Sequence, residues 1–161
     1  LHRFYQHTVE KKGADAYLPP DVFYQAREQL HSSVIGFFAE HAGIPIAGAL
    51  AFQRGAHLYG RYWGCDPGWE RLHFELCYHL PIDLCIDRGW HRFEAGAQGI
   101  HKIQRGLMPA QTWSIHQLAH PGLARAVRTA WVQESTHVQR GIAMLEQHGP
   151  FRRSTTGPRS D

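Results

Sequence analysis

Apolar residues recur with a helical period at the start of the chain and in strand-like runs after it. Within residues 1–30 the aromatic and apolar positions have roughly helical spacing, which predicts two short helices. Gly13 and the consecutive prolines Pro19 and Pro20 punctuate this stretch. Asp21 is predicted to cap the second helix.

Three apolar runs follow, at residues 33–39, 44–53 and 57–63, and glycine-bearing turns link them. Links this short join antiparallel strands, so the runs predict an antiparallel meander. The middle run is apolar on both faces from Ile46 to Phe52. We therefore expect it to be a central strand that other elements cover on both sides.

A leucine at every fourth position marks the next element, residues 69–88. The repeat predicts a helix that packs on the sheet, and Gly89 is expected to end it. Pro81 lies within this helix, where it removes one backbone donor and crowds the preceding turn. We therefore expect a kink near Cys77. The repeated residues are Leu72, Leu76, Leu80 and Leu84.

The rest of the chain alternates short elements with turns. Residues 90–94 are predicted to form a short strand, and residues 100–105 a helical turn that Gly106 ends. Alternation over residues 111–119 predicts a further strand. Pro121 then begins a helix that runs to about Gln147. Its expected buried stripe is Leu123, Val127, Trp131, Val138, Ile142 and Leu145.

Together these elements predict an α/β (α+β) fold, a mixed sheet with an antiparallel meander and helices on both faces. A chain of 161 residues with 43% apolar and 19% charged residues is typical of one globular domain. We expect this domain to cover residues 1–148, with residues 1–30 as a helical lead-in. The Ser-, Thr-, Arg- and Pro-rich residues 149–161 are predicted to form a disordered tail.

Charge and cysteine content narrow the functions to consider. The net charge is +3, but the 17 basic residues are spread along the chain, which is a weak signal for nucleic-acid binding. Cys65, Cys77 and Cys85 form no Cys-x-x-Cys pair, so free thiols and a cytoplasmic location are expected. No apolar run approaches the roughly 18 residues of a membrane span.

Polar and ionisable residues concentrate in residues 59–64 and 94–106, which the predicted elements place at strand ends. Strand ends next to helix starts are where α/β sheets bind ligands. The turn from Gly96 to Gly99 lets the backbone approach an anionic or oxyanion-bearing group. The alternative is a glycine-rich turn before a solvated basic helix. Three donors follow the turn: His101, Lys102 and Arg105.

Glu75 is the candidate general base in the predicted helix. It is expected to face the sheet near Arg61, where a carboxylate could accept a proton from an attacking amine. The alternative is that Glu75 lies on the exposed face of the helix and pairs with Arg71 or His79. The sequence leaves both open.

Several other kinds of site are disfavoured. His116 and His120 have the spacing of a helical metal pair, but one lies in a predicted strand and the other precedes Pro121, so no metal is expected. His101 with His116 across the sheet is a weaker metal alternative. The sequence contains no Gly-x-Ser-x-Gly elbow, Walker loop or strand-linked Gly-x-Gly-x-x-Gly, which disfavours serine hydrolysis, nucleotide hydrolysis and dinucleotide redox chemistry.

Three ordered segments resemble the FemAB-like branch of the GNAT acyltransferase superfamily. They are Tyr-Gly-Arg-Tyr-Trp-Gly at 59–64, Leu-His-Phe-Glu-Leu-Cys-Tyr at 72–78 and Phe-Glu-Ala-Gly-Ala-Gln-Gly at 93–99, with His101-Lys102 and Arg105-Gly106 after them. The resemblance covers residues 1–119 and implies a GNAT fold and an N-acyltransferase linked to peptidoglycan biosynthesis or recognition. It also implies that this chain is the C-terminal half of a longer protein whose N-terminal half is missing.

The resemblance leaves the acyl donor unknown, either acyl-CoA or aminoacyl-tRNA. Ordinary GNAT enzymes hold the CoA pyrophosphate on a Q/R-x-x-G-x-G/A loop, whereas residues 64–69 here are Gly-Cys-Asp-Pro-Gly-Trp. The acceptor is expected to be a small molecule or a peptide. The rival hypothesis is a non-catalytic, GNAT-shaped module that binds a cell-wall or peptide ligand.

The leading hypothesis is that an amine attacks an activated carbonyl while Glu75 or His101 takes its proton. The turn from Gly96 to Gly99, with Lys102 and Arg105, would then stabilise the oxyanion. The residues predicted to bind substrate are Tyr59, Arg61, Glu94, Gln98, Lys102 and Arg105.

Overall fold

The computed structural model describes residues 1–96 and 99–151, except for the side chain of Ile100. The chain divides into two compact units, Leu1–Ala97 and Gln98–Asp161. Most of the predicted tail, residues 152–161, lies outside the described residues. The prediction of one domain over residues 1–148 stays a prediction.

The first unit is built on a four-stranded sheet with the order β1-β2-β3-β4. The first three strands are antiparallel neighbours, and β4 runs parallel to β3. This arrangement confirms the predicted meander and the short strand after the long helix. The strands are β1 Val34–His41, β2 Ile44–Arg54, β3 His57–Cys65 and β4 Arg92–Glu94.

Strand β2 is the covered central strand that the sequence predicts, and all its residues from Ile46 to Ala51 are buried. Ala47 and Ala49 pack against Leu76 of the following helix, which is 1% exposed. Ala51 packs with Leu58 and Cys85 on the same face of the sheet. Small side chains on β2 let the helix lie close to the strand, which removes its leucines from water.

The predicted long helix has three parts: α3 Leu72–Phe74, a π-helical segment Glu75–His79, and α4 Leu80–Asp87. The N–H of Leu80 bonds to the carbonyl of Glu75, five residues back. The π turn precedes Pro81, which has no N–H and would crowd a regular α-helical turn. The structure has this π turn where a kink near Cys77 was predicted, and Gly89, with φ of +63°, follows the helix as expected.

The two helices of the lead-in are α1 His2–Lys11 and α2 Pro20–Leu30. Helix α1 packs on the sheet face opposite the leucine helix, over the paired residues Gly48 and Gly64. The predicted cap is wrong: the N-cap is Pro19, and Asp21 lies within the first turn. There its carboxylate interacts favourably with the helix dipole instead of with one N–H group.

The second unit contains a 3₁₀ helix Ile100–Arg105 and the long helix α5 Pro121–Glu146. His120 caps α5, because its Nδ1 accepts the N–H of Leu123 at 3.2 Å. The strand predicted over residues 111–119 is wrong, since residues 107–118 have no regular secondary structure. Alternation marks two faces, but a strand also needs a neighbouring backbone to pair with.

The predicted stripe on α5 is only partly correct. Val127, Ile142 and Leu145 are half-buried. The other three, Leu123, Trp131 and Val138, are exposed. Helical period predicts which residues share a face, but burial of that face depends on what packs against it. Among the described residues, no helix combines the length and apolar character needed to cross a bilayer.

Candidate active site

Strands β3 and β4 pair over only three residues and then separate. The pairs are His57 with Arg92, Leu58 with Phe93 and Tyr59 with Glu94. Strand β4 ends there, while β3 continues to Cys65. At the same place the pairing of β3 with β2 shifts by one residue, so that β3 bulges at Arg61. Such a bulge re-aims side chains and is common beside active sites.

Four polar side chains share one sheet face at this end of the β3–β4 pair. His57 Nδ1 lies 3.3 Å from the Tyr59 hydroxyl oxygen, and Arg92 Nε lies 3.1 Å from Glu94 Oε1. All four residues are half-buried. Leu58 and Phe93 alternate with them and belong to the core on the other face. Burial of these two fixes the register and so directs the polar quartet to the opposite face.

Arg61, the residue at which β3 bulges, contacts two tyrosines. Its guanidinium carbon lies 4.4 Å from the ring centre of Tyr62, and its Nη2 donates to the Tyr17 hydroxyl at 3.4 Å. The hydroxyls of Tyr17 and Tyr62 are 2.5 Å apart. Burial, with a further contribution from the hydrogen bond to Tyr17, raises the pKa of Tyr62 to about 12. The Tyr62 phenol therefore remains protonated at neutral pH and can donate a hydrogen bond.

Helix α1 contacts the outer edge of β3 and the loop that follows. The Thr8 hydroxyl donates to the carbonyl of Trp63 at 2.8 Å. Arg3 Nη2 lies 3.0 Å from Asp66 Oδ2, and Lys11 Nζ lies 3.6 Å from Glu70 Oε1. The loop between β3 and α3 is thus joined to α1 by two pairs of opposite charge.

Glu75 does not face the sheet near Arg61, so that expectation is wrong. The side chain is 52% exposed, and its Oε2 lies 3.0 Å from His79 Nδ1. The neighbouring Leu76 occupies the sheet-facing position instead. Arg61 contacts tyrosines on the other side of the sheet. The pairing of Glu75 with His79 is the alternative that the sequence left open.

The remaining predicted residues belong mostly to the second unit. Gly99, with φ of +109°, is the N-cap of the 3₁₀ helix, and the ring of His101 lies directly over it. Arg105 Nη1 donates to the carbonyl of His101 at 3.5 Å, and the N–H of Lys102 donates to that of Gly99 at 3.0 Å. Gly96, in the first unit, also has a positive φ of +80°. Gln98 lies outside the described residues.

The structure therefore brings Tyr59, Arg61 and Glu94 to one end of the β3–β4 pair. Sequence reasoning missed His57 and Arg92, which complete the quartet. A signal for both existed, since residues 57–59 and 92–94 each read polar, apolar, polar. Missed as well was Tyr17 as a partner of Arg61, and no local pattern links positions 44 residues apart. The other partner, Tyr62, is the next residue in the sequence.

Comparison with known proteins places these features in a family. The FemAB-like family, described as peptidoglycan biosynthesis/recognition, matches residues 1–153. No curated protein matches the chain.

Two solved structures are similar in fold. An aminoglycoside acetyltransferase from an uncultured soil metagenomic sample, in complex with trehalose, has 15% identity and a TM-score of 0.50, and the match covers 74% of this chain and 85% of that one. A ribosomal-protein-alanine N-acetyltransferase from Brucella melitensis biovar Abortus 2308 has 14% identity and a TM-score of 0.46, over 71% and 89%. The likeness to the first shows a GNAT-like fold.

Proposed function

Because the chain belongs to the FemAB-like family, we propose that it is an N-acyltransferase that joins an acyl or aminoacyl group to an amine. The observation that carries the proposal is the polar quartet where β3 and β4 separate, beside the bulge at Arg61. We take the acceptor to be a small molecule or a peptide. The donor is an activated acyl group, such as a CoA thioester or an aminoacyl-tRNA ester.

In the proposed reaction the amine nitrogen attacks the activated carbonyl carbon. The C–N bond forms, the bond to the sulfur or oxygen leaving group breaks, and the proton lost by the amine must reach a base. Glu94, oriented by Arg92, attracts the amine. His57, linked to the Tyr59 hydroxyl, is positioned to take the proton, because imidazole accepts protons near neutral pH.

Glu75 and His101 are the rival bases, and both assignments stay proposals. The carboxylate of Glu75 is 52% exposed and already paired with His79, which weakens the case for Glu75 as the base. Two further roles stay predictions from the sequence: stabilisation of the oxyanion by Gly96, Gly99, Lys102 and Arg105, and substrate binding by Gln98.

A series of charge-removing variants tests these roles. Transfer to a lysine-containing peptide would be followed by mass spectrometry, with acetyl-CoA and an aminoacyl-tRNA as alternative donors. We expect Glu94→Gln and His57→Gln to lower kcat/KM by about 10²- to 10⁴-fold without changing the melting temperature. Asp83→Asn, which removes an exposed carboxylate of α4, is the matched control.

The same series separates the alternatives. A loss confined to Glu75→Gln or His101→Gln would move the base to that residue. Unchanged kcat/KM in both Glu94→Gln and His57→Gln would contradict the quartet as the active site.

The second candidate function is a non-catalytic module that recognises a cell-wall or peptide ligand. One observation favours it: the loop after β3 holds Asp66 and Glu70 against helix α1. Absence of transfer from either donor, together with binding of a peptidoglycan stem peptide that Arg61→Ala weakens, would support this candidate and contradict catalysis.

A further inference from the structure

The loop between β3 and α3, residues 66–71, bonds largely to itself and to helix α1. The N–H of Trp69 donates to the carbonyl of Asp66 at 3.3 Å. The N–H groups of Leu72 and His73 then donate to the carbonyls of Trp69 and Glu70. The amides at the start of α3 are therefore already used within the loop, in the position where an anion would otherwise bind.

Glu70 supplies an anion from the chain itself. Its pKa is lowered because the backbone N–H groups of Glu70 and Gly68 donate towards its carboxylate, with a smaller contribution from Lys11. The Lys11 ammonium lies 3.6 Å from that carboxylate. Two loop amides and the nearest lysine thus already serve an internal negative charge.

Asp66 places a second negative charge at the start of the loop. Its two oxygens face Arg3 Nη2 at 3.0 Å and His7 Nδ1 at 3.6 Å. Arg3 also donates to the carbonyl of Pro45 at 2.9 Å, which fixes the guanidinium in place. The basic side chains that α1 directs at this loop are therefore engaged by carboxylates of the loop.

A pyrophosphate needs free N–H donors and uncompensated positive charge, and like charges close to it repel it. GNAT enzymes give their donor's pyrophosphate such a loop before this helix. Here the corresponding loop carries Asp66 and Glu70, which are paired with basic side chains of α1. The N–H groups of Trp69, Leu72 and His73 already donate to carbonyls of the loop.

We infer that the loop of residues 66–71 does not accept the pyrophosphate of a coenzyme A thioester, because Asp66 and Glu70 are held there by helix α1. If the chain catalyses the proposed transfer, on which this step rests, its acyl donor is a compound that does not require a pyrophosphate site at this loop. The loop contacts themselves do not depend on that proposal.

The inference can be tested without an activity assay by measuring the affinity for two ligands in calorimetric titrations. The ligands are coenzyme A and pantetheine, which lacks the pyrophosphate and the nucleotide. The wild-type chain should bind coenzyme A no more tightly than pantetheine. Glu70→Ala frees the amides and Lys11, so its affinity for coenzyme A should exceed that for pantetheine by about tenfold. Glu10→Gln, which removes an exposed carboxylate elsewhere on α1, should behave like the wild type.

Two results would overturn the inference. One is a clear preference of the wild-type chain for coenzyme A over pantetheine, because the loop would then accept the pyrophosphate. The other is a Glu70→Ala variant, folded by its melting temperature, that gains no such preference, because Glu70 would then not be the cause. Failure of the proposed function is a different result, namely no transfer from either donor in the peptide assay.

Discussion

Gly64→Ala tests the closest backbone contact in the first unit. A Cβ at this position would overlap the carbonyl oxygen of Phe4 and would lie 2.5 Å from its carbonyl carbon and 2.7 Å from Thr8 Oγ1. Carbon atoms pack at about 3.5–4.0 Å, so the backbone of α1 would have to move by about 1 Å. The two nearest neighbours are backbone atoms of Phe4, and a change of rotamer cannot relieve those contacts.

The expected cost follows from these contacts. Overpacking of this kind costs about 1–3 kcal/mol. Moving α1 also strains the hydrogen bond from Thr8 to Trp63, which contributes about 1 kcal/mol. We expect a total near 3 kcal/mol, which in a chain of this length lowers the melting temperature by about 6–12 °C.

Thermal and urea unfolding of the variant provide the assay, and Gly60→Ala is the control in the same strand. A Cβ at Gly60 would lie 3.4 Å from the Glu94 carbonyl oxygen, which is an ordinary contact. That variant should change stability by less than about 1 kcal/mol. Equal stability of the two variants would refute the packing of α1 directly on β3.

Two further predictions concern the tyrosine pair and the core. Since the pKa of Tyr62 is raised to about 12, the stability it contributes is complete below about pH 10 and is lost as the pH rises towards 12. Tyr62→Phe should remove the last step of the tyrosinate absorbance titration, and an unchanged titration would contradict the pairing with Tyr17. Leu76→Ala should destabilise the chain by about 2–5 kcal/mol in urea unfolding, because Leu76 is 1% exposed. A cost below about 1 kcal/mol would place Leu76 outside the core.

Much of the fold could be predicted from the sequence because buried residues recur with the spacing of the helix or strand that they belong to. The two-sided apolar run of β2 and the leucines facing it gave the central strand and its helix. Pro81 predicted the irregularity that appears as a π turn. The prediction of a strand over residues 111–119 was wrong because apolar and polar residues can alternate whether or not a partner strand is present.

The candidate site was predictable only in part. Tyr59 and Glu94 were identified from polar density, but their pairing depends on the register between β3 and β4, which Leu58 and Phe93 fix by being buried. Glu75 was misplaced although the leucine repeat had already assigned the sheet-facing position to Leu76. Adjacent residues point about 100° apart around a helix, so Glu75 and Leu76 cannot both face the sheet.

The sequence by itself determined the periods: which segments alternate or repeat with a helical spacing, where glycine and proline interrupt them, and which side chains can be buried. The tertiary structure alone decided which distant residues meet. Helix α1 reaches β3 and its loop only because the paired glycines Gly48 and Gly64 leave room for it. Such contacts join residues about sixty positions apart, and local pattern contains no information about them because it reflects burial, not partner identity.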